Sequence, residues 1–193
     1  MTQGHEFGAP PTNQGVWPLA IDLDGTLIYG DVVAAAAWRL ASASPLGLLR
    51  LAVWFLRGRA YAKARLAREA PCEPERLAYN RPLLDWLREQ KTAGRILVLA
   101  TASDRRAAEA IAAHVGLFDA VFASDGAQNL KGPAKGAALA RAFPGGFAYA
   151  GNEAADLGVW RAARAAIVVN APQSLARRAA RLCAVERVFP RAD

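Results

Sequence analysis

Short apolar runs recur along the chain with helical text between them: Leu19 to Leu23, Ile96 to Ala100, Ala120 to Ala123, Phe147 to Ala150 and Ala166 to Val169. Runs of this length with little alternation mark strands buried on both faces, so five parallel strands are predicted. Helix punctuation fills the intervals. Ser103 caps a predicted helix that runs to Gly116, Pro82 falls in a first helical turn, and Pro133 and Pro172 open two more. The alternation predicts an α/β fold, a doubly wound Rossmann-like parallel sheet. Such sheets bind ligands at the carboxyl ends of the strands, beside the point where strand order reverses.

The interval from about residue 30 to residue 80 breaks this rhythm, because a simple crossover needs far fewer residues. Its text is helical: Val32 to Leu40 is rich in Ala, Pro45 and Gly47 punctuate, Leu48 to Leu56 is strongly apolar, and Ala60 to Ala70 is basic. The expected organisation is therefore a core over 16–29 and 81–193 with a small helical cap over 30–80 inserted after the first strand. Residues 1–15 hold Gly4, Gly8, Pro10, Pro11, Asn13 and Gly15 with few apolar side chains and read as a mobile leader.

Composition narrows the function classes. At 193 residues and 53% hydrophobic, the chain has material for one domain with a sizeable core, which rules out disorder throughout. No apolar run approaches the roughly 18 to 20 residues of a membrane span. Cys72 and Cys183 cannot build a disulfide framework, and no basic-then-apolar leader follows Met1, so the expected setting is cytoplasmic and reduced. The charge of 24 minus 17, or +7, permits an anionic partner, but the basic residues are 20 Arg against 4 Lys and Ala fills 45 positions, a skew that resembles genome composition. Aromatic residues are not interleaved with the basic ones and no zinc-ligand spacing exists, so nucleic acid is not expected as a partner.

The chemistry concentrates after the strands. The first run ends in Ile21-Asp22-Leu23-Asp24-Gly25-Thr26-Leu27, two carboxylates at the mouth of a buried strand followed by a glycine. Two buried acids are costly without a cation, and a hard cation such as Mg2+ held by oxygen ligands offsets that cost and neutralises a phosphate. A turn in which one Asp merely caps a helix is the alternative. After the second strand comes Thr101, with Ser103 and Asp104 as other anion-binding or capping residues.

In this Asp-x-Asp-x-Thr motif the sequence resembles the haloacid dehalogenase-like (HAD) phosphohydrolases, over about Val16 to Val169. The resemblance implies that Asp22 is a nucleophile forming an aspartyl-phosphate and Asp24 the general acid and base. An acid at position 24 points to phosphoryl transfer rather than dehalogenation. It also implies that Thr101 and neighbouring Ala102 hold phosphate oxygens and that a Lys at a later helix start neutralises the charge. Lys135, followed four residues later by Leu139, fits that spacing, with Lys131 as the reserve. The family's Gly-Asp-x-x-x-Asp reads here Gly151-Asn152-Glu153-Ala154-Ala155-Asp156, with an amide replacing the first acid. Asp22, Asp24, Asn152, Glu153 and Asp156 are the implied Mg2+ ligands, with metal affinity put in question by Asn152. A Mg2+-dependent phosphomonoesterase is expected; a catalytically weakened binding or scaffold domain is the alternative.

Between Leu46 and Arg68 lie six basic residues and no acidic one, beside Leu48, Leu49, Leu51, Val53, Trp54, Phe55 and Leu56. This stripe reads either as a hairpin buried on itself or as a surface for anionic lipid or a prenyl chain. The stretches Leu77-Ala78-Tyr79-Asn80, Leu99 to Arg106, Ser124-Asp125-Gly126 with Asn129-Leu130-Lys131-Gly132, and Asp156 to Arg161 resemble the HAD domain found N-terminal to UbiA-type prenyltransferases in bacterial fusions. That resemblance implies a phosphorylated small molecule or a polyprenyl-linked sugar phosphate as substrate. It also implies contact with a membrane or a prenyltransferase through the basic cap, at the inner face of the membrane.

Overall fold

The computed structural model describes residues 16–124 and 130–191, so the expected leader and Asp125, Gly126 and Asn129 lie outside the described residues. Six strands form one parallel sheet: β1 (Leu19–Ile21), β2 (Leu97–Asp104), β3 (Ala120–Ser124), β4 (Ala148–Gly151), β5 (Ala165–Val169) and β6 (Ala184–Phe189), in the order β3-β2-β1-β4-β5-β6. The order reverses between β1 and β4, where Ile21 stands beside Ala150. That gap at the carboxyl ends is where a doubly wound sheet opens a crevice.

Alternate side chains of each strand enter two cores. Leu19, Ile21, Leu97 and Leu99 face one layer, with Leu83, Trp86 and Leu87 of α4 (Arg81–Thr92) and Ala108 and Ile111 of α5 (Arg105–Val115). Ala20, Val98, Ala100 and Tyr149 face the other, with Leu139 of α6 (Pro133–Ala142), Trp160 of α7 (Leu157–Trp160) and Leu175 of α8 (Gln173–Ala179). The result is a three-layer α/β/α core.

Two expectations need correction. The sheet has a sixth strand, β6, which pairs parallel to β5 at the sheet edge. Its text, Ala-Val-Glu-Arg-Val-Phe, is mostly exposed with only Phe189 buried, so it never forms an apolar run. Ser103 does not cap α5: β2 continues in extended form through Asp104, whose carboxylate accepts from Arg106 N at 3.0 Å. Gly116 does close that helix, in the left-handed conformation that relieves its last turn.

Between β1 and α4 the chain forms three helices, α1 (Val32–Ala43), α2 (Pro45–Leu56) and α3 (Arg59–Glu69). They share an apolar cluster of their own: Ala36, Leu51, Trp54, Ala62, Leu66 and Ala70. The connecting segments run together beneath it, with Tyr29 N donating to Ala78 O and Asn80 N to Leu27 O. In α2 the buried stripe is narrow, Gly47, Leu51 and Trp54, so self-burial accounts for only two of the apolar side chains between Leu48 and Leu56. The large apolar side chains at Leu48, Leu49, Val53, Phe55 and Leu56 are exposed.

Gly47 is where α1 and α2 touch most closely. A Cβ there would fall 1.9 Å from the Leu40 carbonyl oxygen, a backbone atom that cannot move aside cheaply. Gly47→Ala should therefore force the two helices apart and lower stability by about 1–3 kcal/mol, the usual range for overpacking. Urea unfolding checks this, with Gly145→Ala as control because nothing lies within 4 Å of that position. Equal midpoints for the two variants would mean the close crossing contributes nothing.

Candidate active site

At the carboxyl ends of β1, β2 and β4 a cavity of about 200 Å³ is lined by Asp22, Asp24, Asp31, Ser103, Lys135 and Asp156 among others. β1 delivers Asp22: its backbone N–H donates to Ala150 O of β4 at 2.9 Å, which fixes the residue at the switch point. Gly25 turns the chain immediately afterwards with φ +74°, and a Cβ there would fall 2.1 Å from the Asn152 amide. The loop after β1 and the loop after β4 therefore press against each other, and only glycine fits the turn.

Lys135, in the first turns of α6, is buried and donates to Asp22 Oδ1 at 2.7 Å and to the Tyr149 hydroxyl at 2.8 Å. The Tyr149 hydroxyl in turn donates to Asp156 Oδ1 at 2.8 Å. The other oxygen, Asp156 Oδ2, accepts from the Asn152 and Glu153 backbone N–H groups, each at 2.9 Å. Burial and the nearby carboxylates push the Tyr149 hydroxyl well above its usual range, so it keeps the proton that it donates. The chain Asp22, Lys135, Tyr149, Asp156 is thus a continuous hydrogen-bonded row inside the core.

Asp24 points toward the cap. Its Oδ1 accepts from Val32 N at the start of α1 at 2.8 Å, and its Oδ2 accepts from the Ser103 hydroxyl at 2.6 Å. Burial raises its carboxyl above the ordinary value against the pull of these two donors. Burial likewise pushes Asp22 up to about 7 despite Lys135. Loss of water around the carboxyl is the main cause; Lys135 opposes it, and the neighbouring carboxylates of Asp156 and Asp24 add smaller pushes in the same direction.

The other expected residues divide by position. Thr101 is fully buried, and its hydroxyl oxygen accepts the Ser103 N–H at 3.0 Å; Ala102 and Ser103 form the cavity wall on that side. Lys131 also lines the cavity but is exposed, with its ammonium 3.4 Å from Glu153. Asn152 Oδ1 accepts from the Thr26 hydroxyl at 3.2 Å. Asp156 has both oxygens bonded to protein donors, and Glu153 faces Lys131. In this arrangement Asp156 orders the loop after β4.

A divalent cation is tested by this donor set. Among the described residues no group of three or more His, Cys, Asp or Glu converges as a metal cage. Mg2+ does not need one, since it keeps several waters and is commonly held by one or two carboxylates plus the substrate phosphate. The buried Asp22 carboxyl, short of positive charge, and the amide oxygen of Asn152 fit that demand.

Tyr149, Asp31 and Asn170 are site residues without a motif in the sequence, and Thr26 enters only as the closing residue of the Asp-x-Asp-x-Thr motif. Tyr149 sits inside an apolar run, where a buried hydroxyl always needs a partner, and that was the available signal. Thr26 braces Asn152, and Asp31 both lines the cavity and caps α1. Asn170, at φ +47° just past β5, donates to Gly25 O at 3.3 Å and supports the turn after Asp22.

No protein-family model matches the chain. It is 41% identical over 153 residues to an uncharacterized protein, y4nM, of Sinorhizobium fredii, an alignment that covers 79% of this chain and 30% of that relative's length. Among solved structures, a HAD family hydrolase from Salmonella enterica serovar Typhi aligns with a TM-score of 0.63 and 15% identity over 90% of this chain and 68% of its own. A substrate-bound phosphoserine phosphatase aligns with a TM-score of 0.60 and 15% identity, over 91% and 93%. Phosphoserine phosphatase solved as a phospho-aspartyl intermediate analogue aligns with a TM-score of 0.58 and 16% identity, over 91% and 94%. These likenesses show a shared fold.

Removing the cation from the buried row should be more damaging than removing the pair. Lys135→Met leaves Asp22 buried and unpaired and is expected to destabilise the protein by about 3–5 kcal/mol, while Asp22→Asn with Lys135→Met recovers most of the loss. Chemical denaturation of the two variants in metal-free buffer checks this. A double variant no more stable than Lys135→Met would remove the ion pair as the cause.

Proposed function

We propose that this chain, which carries the haloacid dehalogenase-like fold, is a Mg2+-dependent phosphomonoesterase that works through an aspartyl-phosphate on Asp22. The observation that carries the reading is the buried pair of Asp22 and Lys135, 2.7 Å apart, on the wall of a cavity large enough for a phosphoryl group.

In the proposed reaction the Asp22 carboxylate attacks phosphorus in line as the bond to the leaving oxygen breaks. Asp24 gives that oxygen a proton. A water that loses its proton to Asp24 then attacks the acyl phosphate, releasing inorganic phosphate and restoring Asp22. Lys135 holds a phosphate oxygen, and Thr101 with Ala102 and the amides near Leu23 and Asp24 complete the cradle, with Lys131 at its rim. Most of the rate enhancement would come from positioning and charge stabilisation. A bound Mg2+ would be held by Asp22 and Asn152 and would supply neutralisation of the phosphate charge.

The substrate class proposed is a phosphorylated small molecule, and the finer proposal is a polyprenyl-linked sugar phosphate handled beside a UbiA-type prenyltransferase. A lipid-linked substrate would bring the chain to the inner face of a membrane. Phosphate release from a lipid-linked phosphoribose against a panel of soluble sugar phosphates tests it, and preference for the soluble panel counts against the lipid.

A second reading, a weakened scaffold domain that recruits such a prenyltransferase, is favoured by Asn152 in place of an acid and by the committed oxygens of Asp156. One assay separates the two. Wild-type protein should release phosphate from an aryl phosphate only with Mg2+ present, and Asp22→Asn should lose at least about a thousandfold in kcat, the scale expected for loss of a nucleophile. Mg2+ should raise the unfolding midpoint of the wild type and not of Asp22→Asn. Equal phosphate release from both forms excludes the enzyme.

A further inference from the structure

Helix α2 is apolar on both sides. At 100° per residue its buried stripe of Gly47, Leu51 and Trp54 covers one side, and Leu46, Leu48, Leu49, Val53, Phe55 and Leu56 fan across the opposite half-turn of the wheel. Leu56 is 88% exposed, Leu46 62% and Leu49 61%; Arg50 is the one polar residue in the helix. On the helix packed against it, Trp38 is 77% exposed. Scattered apolar side chains are ordinary on a protein surface, but one continuous face of this kind marks a binding surface.

The geometry points to an anionic phospholipid bilayer as the partner of this face, with α2 lying in the interface and its outer side chains among the acyl chains. Three features select that occupant. Twelve residues rise about 18 Å, too short for a hydrocarbon core of about 30 Å, which leaves the in-plane position. The face is the outer side of a single helix, and a fluid bilayer conforms to such a convex shape. Its surroundings are cationic: between Leu46 and Arg68 six residues are basic and none acidic. Exposed Arg57 and Arg68 lie on that segment, and neither makes an ion pair among the described residues. Arg50 and Arg65, by contrast, both pair with Glu69, and Arg50 lies 5.3 Å from the Trp54 ring centroid, at the inner boundary of the face. A second copy of the chain on the same face would bring like charges together. An exposed apolar face on a basic segment is the composition that binds anionic lipid. This holds whether or not the cavity turns over phosphate.

Co-sedimentation of the full chain with phosphatidylcholine vesicles, alone and mixed with phosphatidylglycerol, tests the surface. Wild-type protein should sediment with the mixed vesicles and release partly as salt is raised. Leu49→Glu with Leu56→Glu should reduce the bound fraction at least about tenfold, with circular dichroism unchanged because both side chains are solvent-exposed. Arg57→Glu with Arg68→Glu should remove the preference for the anionic vesicles. Failure of wild-type protein to sediment, or equal binding by the leucine variant, overturns the inference. Self-association abolished by the leucine variant, without vesicle binding, assigns the face to a protein contact instead.

Discussion

A carboxylate that is buried without compensation destabilises a fold, and this chain buries Asp22 and Asp156 at the mouth of its central crevice with Asp24 alongside them. Lys135 is what makes the arrangement tenable. Its ammonium is itself buried, so its attraction to Asp22 acts with little screening by water. Every neighbour then follows from the need to satisfy these groups. Tyr149 links the ammonium to Asp156, and Asp156 takes up two backbone amides of the loop after β4. The excess of acid that remains around Asp22 suits a cation.

The sheet supplies the precision. Because β1 and β4 are neighbours at the reversal of strand order, Asp22 and the Gly151-Asn152 turn meet without any long loop. The Asp-x-Asp segment is held from both sides, by Asn152 against Gly25 and by Asn170 on the Gly25 carbonyl. Asp24 connects the site to the helical insert. One of its oxygens takes the first amide of α1 and the other the Ser103 hydroxyl at the end of β2. A displacement of α1 would therefore be felt at Asp24 directly, through one hydrogen bond.

Much of this was legible in the residues. The five apolar runs appear as strands; four of them are central and buried, which leaves an unbroken apolar signature, and the fifth is the edge strand β3. β6 was not legible: most of it is exposed at the sheet edge, and Glu186 and Arg187 interrupt the run. Asp22 and Lys135 meet as the motif spacing implies, since both follow directly from element starts and ends. Ser103 reads as a helix cap because a capping hydroxyl and one that holds a carboxylate, as Ser103 holds Asp24, share the same residue type and the same position after a strand. Tyr149 is legible only as a hydroxyl inside an apolar run that needs a partner; which partner it takes depends on where Lys135 and Asp156 land. The two apolar sides of α2 could not be separated in the sequence, since exposure depends on where α1 and α3 land.

The central claim is that the buried Asp22 carboxylate, aimed by Lys135, is the atom that meets phosphorus. Mass spectrometry of the acid-quenched protein, taken milliseconds after mixing with Mg2+ and an aryl phosphate, tests it most directly. A phosphoryl adduct should be found on the peptide containing Asp22 and should vanish in Asp22→Asn. Steady phosphate release with no adduct on that peptide, or with an adduct on another residue, would contradict the claim.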